Sequence, residues 1–244
     1  MEIPANVQVF ETPEQLAVAA AERFVESASD LHDKLDGFSV ALAGGRTPKR
    51  VYELLGTEQF KNRVEWSRVH LFFGDERCVP PDHPDSNFGM VNQTLISRVE
   101  IPTKNVHRII GEGDARENAR GYESELRTSF ASRPGPRFDL VLLGIGEDGH
   151  TASLFPQSAA LQETSRWAVA TEHPHSGQRR ITLTLPALNH AAHILFLVTG
   201  QEKATALSRV LRGQSEPARL PASLIQPVEG ALEWFIDREA ASLL

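Results

Sequence analysis

Residues Asp139–Pro156 read DLVLLGIGEDGHTASLFP, and this stretch decides the fold. An apolar run, Leu140–Leu143, breaks at once into a loop of glycines and carboxylates that ends at His150. A short apolar run bounded by glycine is typical of a strand buried on both faces in an α/β protein. The loop after such a strand emerges at the carboxyl edge of the sheet, where these proteins bind ligands. We therefore predict that His150 is the chemical centre of this protein.

Further apolar runs of the chain are arranged in the same way. Strands are predicted at Phe38–Ala43, Val69–Phe73 and His193–Thr199, each followed directly by polar residues, with helical patterns between them. Alternating strands and helices favour a mostly parallel sheet with helices on both faces. The chain shows no internal repeat and no clear linker. We predict one Rossmann-like α/β domain over residues 1–244.

Capping patterns predict where several helices begin. The predicted caps, each directly before a helical pattern, are Thr12, Thr47, Ser86 and Asp114. The predicted ends are less defined: about Lys34 for the first helix, about Val99 for the third, and before Pro134 for the fourth. Two further elements are expected, a short strand at Val106–Ile110 and a helix at Gln201–Arg212.

Composition limits the class of partner. The 244 residues are 41% hydrophobic and 23% charged, with a formal net charge of −7, which argues against nucleic acid as a general partner. A local cluster of arginine and lysine is still able to bind a small anion. No apolar run approaches the roughly 18 residues of a membrane helix, and we expect no membrane partner. Cys78 is the single cysteine, and the first residues lack a secretory pattern, so we expect a cytoplasmic protein.

Polar motifs follow four of the predicted strands directly. In a parallel sheet such loops leave from the same edge, so residues far apart in the sequence share one crevice. The four motifs together bring glycines, acids, a histidine and cations to that edge, which predicts a binding site. They are Ala43–Pro48, Asp75–Arg77, Gly144–His150 and Gly200–Lys203.

The first motif, Gly44-Gly45-Arg46-Thr47-Pro48, has phosphate-binding chemistry. Its glycines let backbone N–H groups approach an anion, and the helix that follows presents its positive end. A plain tight turn with a helix cap explains the same residues equally well.

The third motif, Gly144-Ile145-Gly146-Glu147-Asp148-Gly149, matches the dinucleotide-binding pattern G-x-G-x-x-G. Glu147 and Asp148 oppose that interpretation, because they would place negative charge where a pyrophosphate binds. We prefer a loop in which Asp148 orients His150 as a general base, since histidine titrates near neutral pH. A histidine that only caps the next helix is the structural alternative.

The remaining candidates are charged residues. Asp75 and Arg77 lie two apart, so in an extended stretch their side chains point the same way, toward a ligand or into a structural salt bridge. Arg180 and Lys203 are candidate phosphate ligands, or else solvated surface charges. The histidine pairs of the chain lack supporting cysteine or carboxylate patterns, so we expect no metal site.

At these residues the chain resembles the 6-phosphogluconolactonase family, which hydrolyses 6-phosphoglucono-1,5-lactone in the oxidative pentose phosphate pathway. The resemblance implies a single α/β domain like that of the sugar-phosphate deaminases and isomerases, no cofactor, and a phosphorylated sugar lactone as the ligand. We expect a monomer or a homodimer. The resemblance further implies that His150 is the base and is supported by Asp148, and that the reacting end of the substrate is lined by Asp75 and Arg77. The binding loop contains Gly144 and Gly146. The residues that hold the phosphate would be Gly44, Gly45, Thr47, Arg180 and Lys203. The motifs that carry the resemblance are ALAGGRTP, FFGDERCVPPDHPDSNFGM, FDLVLLGIGEDGHTASLFP, RRITLTLPALNHA and VTGQEKA.

Two differences from related patterns matter. The glycine turn reads AGGRTP where the family often has SGGSTP, so the role of Arg46 as a substrate ligand is open. In glucosamine-6-phosphate deaminases the histidine loop resembles GHIAFNEP, with a glutamate before the proline that assists ring opening. In this chain Phe155 stands at the position of that glutamate, which favours a hydrolase over a deaminase. A sugar-phosphate sensor without enzymatic activity is a third alternative, although it would need no base in the loop.

Overall fold

We describe the protein in a computed structural model, which defines residues 4–29, 37–131, 135–212 and 220–244. Within these residues lie nine β-strands and seven α-helices, joined by loops and short 3-10 helices. The strands are β1 (Val7–Phe10), β2 (Phe38–Leu42), β3 (Val69–Phe73), β4 (Asp75–Arg77), β5 (Leu140–Leu143), β6 (Ala168–Glu172), β7 (Arg179–Leu183), β8 (His193–Val198) and β9 (Ala231–Asp237). The helices are α1 (Pro13–Ser29), α2 (Arg46–Leu55), α3 (Glu58–Lys61), α4 (Asn87–Thr94), α5 (Ala115–Ser129), α6 (Leu185–Asn189) and α7 (Ala204–Leu211).

The central sheet has the strand order β1-β9-β8-β5-β2-β3. All of its neighbours pair in parallel, with Val40 opposite Leu140 and Val141 opposite Ile194. Every residue of β2 and β5 is buried, so both faces of the sheet centre are covered. The predicted α/β fold with a mostly parallel sheet is confirmed, and β5 lies between β8 and β2.

A second sheet of three antiparallel strands, in the order β4-β7-β6, was not expected from the sequence. Asp75-Glu76-Arg77 is strand β4 of this sheet, so its prediction as a loop is wrong. The hydrogen bonds of Gly74 join the two sheets: its N–H donates to Leu42 O (2.9 Å) at the end of β2, and its carbonyl accepts from Leu183 N (2.8 Å) at the end of β7. The second sheet thus lies against the carboxyl edge of the first.

Three of the four predicted caps form. The Asp114 side chain accepts from the N–H groups of Arg116 and Glu117, Ser86 accepts from Gly89, and Thr12 accepts from Gln15. The prediction for Thr47 is wrong.

The helix α2 starts two residues earlier than a Thr47 cap requires. Its N-cap is Gly45, at φ +101°, with no side-chain cap bond. Thr47 lies inside the helix, and its Oγ1 is 2.7 Å from Thr199 Oγ1, which leaves the first-turn N–H groups uncapped.

Other element bounds differ from prediction. Val106–Ile110 is not a strand, because a single bridge between Leu71 and Val106 is all that forms there. The third predicted helix stops at Thr94 and is followed by a short 3-10 turn. The helix expected at Gln201–Arg212 begins as a 3-10 turn and becomes helical at Ala204. The predicted extension of the first helix toward Lys34 lies outside the described residues.

Two buried tyrosines fix the strand ends that carry the polar loops. Tyr52 OH donates to Ala43 O (2.9 Å) and accepts from Ala43 N (3.0 Å), just after β2. Tyr122 OH makes the same pair of bonds to Phe73 O (3.0 Å) and N (2.9 Å), at the end of β3. Burial raises the pKa of both phenols, so they remain neutral hydrogen-bonding groups. Each tyrosine satisfies both backbone groups of a strand end that would otherwise lack partners.

Candidate active site

A cleft of about 680 Å³ opens at the carboxyl edge of the central sheet. Of the site residues that the sequence predicts, eleven line this cleft, and Asp148 alone lies outside the lining. The four strand-end motifs therefore meet in one place, as a parallel sheet requires. The predicted residues that line the cleft are Gly44, Gly45, Arg46, Thr47, Asp75, Arg77, Gly144, Gly146, His150, Arg180 and Lys203.

His150 and Asp148 form a hydrogen-bonded pair at the wall of the cleft. His150 Nδ1 lies 2.6 Å from Asp148 Oδ1, and the same oxygen accepts the backbone N–H of His150 at 3.1 Å. Because a carboxylate only accepts, Nδ1 carries the proton, and in the neutral ring Nε2 is then an acceptor. Within the described residues nothing bonds to Nε2, and 29% of the side chain is exposed. The ring is thus held in one orientation, and part of it is open to solvent.

The pKa of Asp148 lies below its ordinary value. Burial acts to raise it, but the charge of His150 and the hydrogen bonds from its backbone N–H and ring outweigh burial. Asp148 is consequently an anion at neutral pH and is placed to stabilise the positive charge of a protonated His150.

The glycines of this loop make room for that pair. A Cβ on Gly146 would lie 2.1 Å from His150 Nδ1 and 2.6 Å from Asp148 Oδ1, so any larger residue would displace both groups. Gly146 N also donates to His150 O at 2.8 Å, closing the loop on itself. Gly149 has a φ of +81°, which favours glycine at the turn.

Asp75 is buried and held by two side chains that the sequence analysis did not select. Ser153 Oγ donates to Asp75 Oδ2 at 2.6 Å, and Asn87 Nδ2 donates to Asp75 Oδ1 at 3.2 Å and to Asp75 O at 2.9 Å. Asn87 in turn needs Gly44, because a Cβ there would lie 2.0 Å from Asn87 Oδ1. Asp75 therefore connects the histidine loop, strand β4 and the glycine turn.

Arg77 and Arg180 are paired neighbours across β4 and β7. Arg180 Nη1 lies 3.9 Å from Asp75 Oδ2, and Arg77 Nη1 donates to Asp85 O. The Nε atoms of both arginines are buried without a hydrogen-bond partner. Burial acts to lower the pKa of Arg180, and the nearby charge of Arg77 adds to that effect while Asp75 opposes it. Two close guanidinium groups with unused donors are suited to an anionic ligand.

The glycine turn offers a second position for an anion. The first-turn N–H groups of α2 have no side-chain cap, and the positive end of this ten-residue helix meets the cleft. The contact between Thr47 and Thr199 joins this turn to the loop of Lys203. Arg46 lies at the rim with 95% of its side chain exposed, 3.4 Å from Glu202.

Sequence reasoning missed several groups that support the site. Glu76 is buried and accepts from the backbone N–H groups of Arg77, Asn87 and Phe88, so it fixes strand β4 to the start of α4. Ser153 also uses its N–H, which donates to Thr182 Oγ1 at 3.1 Å. Glu76, Ser153 and Thr182 all lie in motifs quoted for the resemblance, but nothing in the local pattern indicated that these polar side chains are buried.

In the described part of the chain, no three His, Cys, Asp or Glu side chains come together in a way that would hold a metal ion. None of the helices in those residues is both long and apolar enough to cross a membrane.

Comparison with known proteins places the chain among relatives. It matches the family described as glucosamine-6-phosphate isomerases/6-phosphogluconolactonase over residues 11–234. A 6-phosphogluconolactonase from Synechocystis sp. is 42% identical over 209 residues, covering 84% of this chain and 84% of the relative. A 6-phosphogluconolactonase from Homo sapiens is 38% identical over 244 residues, covering 99% and 94%.

A solved structure has the same architecture. The 6-phosphogluconolactonase from Trypanosoma cruzi superimposes with a TM-score of 0.86 at 30% identity, covering 100% of this chain and 98% of that one. Matches of this length in sequence and structure settle the family, whose description includes both isomerases and lactonases. The chain belongs to the glucosamine-6-phosphate isomerase/6-phosphogluconolactonase family.

Proposed function

We propose that this protein hydrolyses 6-phospho-D-glucono-1,5-lactone to 6-phospho-D-gluconate, a step of the oxidative pentose phosphate pathway, with His150 as the general base. The observation that carries the proposal is the His150–Asp148 pair, whose Nε2 is left available to water in a cleft that also contains buried, unpaired guanidinium donors. The names of the curated relatives support the same activity.

The lactone ring opens in two steps, with His150 acting first as a base and then as an acid. Neutral His150 removes a proton from a water molecule as the water oxygen attacks the lactone carbonyl carbon, and the carbonyl becomes a tetrahedral oxyanion. The bond from that carbon to the ring oxygen then breaks, and protonated His150 returns the proton to the departing oxygen. The resulting carboxylic acid ionises in water. Asp148 stabilises the imidazolium formed between the two steps.

The positive groups of the cleft divide between the two ends of the substrate. Arg77, beside Asp75, is the first candidate to stabilise the oxyanion, together with N–H groups of the Gly144–Gly149 loop. The phosphate binds to Arg180, to Lys203 and to the uncapped start of α2 at Gly44–Thr47. Holding the phosphate fixes the sugar ring, so that binding energy from the far end orients the carbonyl toward His150.

The test is a lactonase assay on freshly generated lactone with spontaneous hydrolysis subtracted. We expect His150→Ala to lose about 10²-fold or more in kcat, the usual contribution of a general base. His190→Ala is the matched control, because His190 is exposed, precedes β8 at the opposite edge of the sheet, and should not change the rate. A folded His150→Ala variant with normal turnover would exclude His150 as the base.

The same samples separate the alternatives. Ammonia release from glucosamine 6-phosphate by the wild-type protein, without lactone hydrolysis, would identify a deaminase. Binding of 6-phosphogluconate without turnover of either substrate would identify a sensor.

A further inference from the structure

The ring of Phe155 lies behind the wall of the cleft with 1% of its surface exposed. Three side chains with basic groups converge on it. The His150 ring centroid is 4.9 Å away at an interplanar angle of 49°, and the His173 ring centroid is 5.0 Å away at 69°. The guanidinium carbon of Arg180 lies over the ring, 5.7 Å from its centroid.

Arg180 carries the standing positive charge of this group, and the two histidines add to it only when they are protonated. His173 stands at the start of the turn between β6 and β7, and its Nδ1 accepts the N–H groups of His175 and Ser176. Burial lowers the pKa of His173, and the charges of Arg180, His150 and His175 lower it further, while Asp148 opposes them. An aromatic face attracts cations, so the Phe155 ring offsets part of the repulsion among its neighbours.

The ring is held in place by the turn that follows His150. Thr151 and Leu154 form an isolated bridge, and Ala152 between them has a left-handed φ of 47°. Ser153 is buried and bonded to Asp75 and Thr182. Phe155 O then accepts the N–H of Ser158 at 3.1 Å. A turn fixed at so many points allows the ring little freedom to move away from the base.

We propose that Phe155 is a positioning residue that couples the general base to the phosphate-binding arginine. Its ring contacts both His150 and Arg180, so that a single side chain sets the distance between the reacting end and the phosphate end of the site. The proposal rests on the function proposed above.

Two consequences follow for the reaction. His150 becomes an imidazolium as it takes the proton from water, and the neighbouring aromatic ring stabilises that cation. Arg180 has few protein hydrogen bonds of its own, so its contact with the ring keeps the guanidinium aimed at the ligand. Loss of the ring should therefore change kcat through His150 and KM through Arg180.

The test compares Phe155→Leu with Phe60→Leu. Phe60 is the matched control because it is fully buried and also carries a guanidinium, that of Arg63 at 5.4 Å, but lies in α3 outside the cleft. We expect Phe155→Leu to lower kcat roughly three- to tenfold and to raise KM by a similar factor, as expected for losing one cation–aromatic contact. Phe60→Leu should destabilise the protein without changing either constant.

A second readout does not depend on activity. The pKa of His150, measured by NMR titration and assigned with His150→Ala, should fall by about half a unit in Phe155→Leu and stay unchanged in Phe60→Leu. The charged or titratable groups around this ring are Asp148 on its own loop and, on the second sheet and its turn, His173 and Arg180, all of which both variants retain. If Phe155→Leu does not fold, Phe155→Met takes its place.

An unchanged His150 titration in the folded variant overturns the proposal, whatever happens to the rate. If the wild-type protein lacks lactonase activity, the proposed function fails instead, and the titration still reports whether the ring stabilises the imidazolium.

Discussion

Asp148 accepts two hydrogen bonds from one neighbour, the ring and the backbone N–H of His150. We predict that Asp148→Asn lowers kcat roughly 10- to 100-fold, since a hydrogen bond to a charged group contributes about 1.5–3 kcal/mol and the imidazolium forms only during the reaction. KM should change little, because Asp148 does not line the cleft. Steady-state kinetics of the lactonase reaction measure both constants.

The lowered pKa of Asp148 also gives a pH dependence. A carboxyl group whose pKa is lower in the folded state stabilises the protein above its unfolded pKa, near 3.8, and that contribution is lost as the pH falls through the folded value. The stability of wild type and Asp148→Asn should therefore converge in acid and differ at neutral pH. A constant difference between the two from pH 7 to pH 2 would contradict this, and the effect is small because 42% of the side chain is exposed.

Arg180 and Arg46 both line the cleft but should behave differently. Arg180 is largely buried with an unpaired Nε, whereas Arg46 is almost fully exposed beside Glu202. We predict that Arg180→Ala raises KM at least tenfold with a smaller effect on kcat, because a charged hydrogen bond to phosphate contributes about 1.5–3 kcal/mol. Arg46→Ala, the matched control, should stay within about twofold of wild type, since exposed pairs contribute little. Equal effects of the two substitutions would remove Arg180 from the phosphate site.

At the scale of secondary structure, Glu76 holds strand β4 against helix α4. Its two oxygens accept the N–H groups of Arg77, Asn87 and Phe88 and the hydroxyl of Ser86. Glutamine at this position would turn an NH₂ group toward two of these donors. We predict that Glu76→Gln lowers the free energy of unfolding by about 1–3 kcal/mol, the cost of buried donors without acceptors. Urea unfolding measures this.

An exposed glutamate supplies the control. Glu58→Gln, at a side chain that is 79% exposed, should change the free energy of unfolding by less than about 0.5 kcal/mol. If Glu76→Gln proves as stable as Glu58→Gln, the bonds to α4 do not hold the strand. Because Asn87 starts that helix and binds Asp75, we also expect a higher KM in Glu76→Gln.

The elements that the sequence predicted well are those with strong local patterns. β5 and β8 are continuous apolar runs, and Asp114 precedes Glu117 at the spacing of a capping box, so burial and capping were readable from adjacent residues. β4 was not readable, because three charged residues become a strand only through pairing with β7, far along the chain. The prediction of Thr47 as a helix cap failed for a similar reason, because its hydroxyl bonds to Thr199 rather than to its own helix.

At the scale of the whole molecule, the sequence predicted that the site residues share one cleft, but it did not predict the contacts among their side chains. Parallel pairing sends the loops after β2, β3, β5 and β8 to one edge, which predicts a shared crevice. The second sheet adds charged side chains to this cleft, since Asp75 and Arg77 of β4 and Arg180 of β7 line it. Ser153 and Asn87 contact Asp75, and Phe155 contacts Arg180, only once the chain has folded, so their positions in the sequence did not identify them as partners.

Because one ligand would contact both sheets and several loops, its binding should stabilise the whole fold. A ligand at about 100 times its Kd adds about 2.7 kcal/mol, and about 2–4 °C per kcal/mol is typical for a domain of this size. We predict that 6-phosphogluconate raises Tm by roughly 5–10 °C, measured by calorimetry. Gluconate without the phosphate should give a much smaller shift, as should 6-phosphogluconate with Arg180→Ala. An equal rise with gluconate would show that the phosphate is not what the cations of the cleft bind.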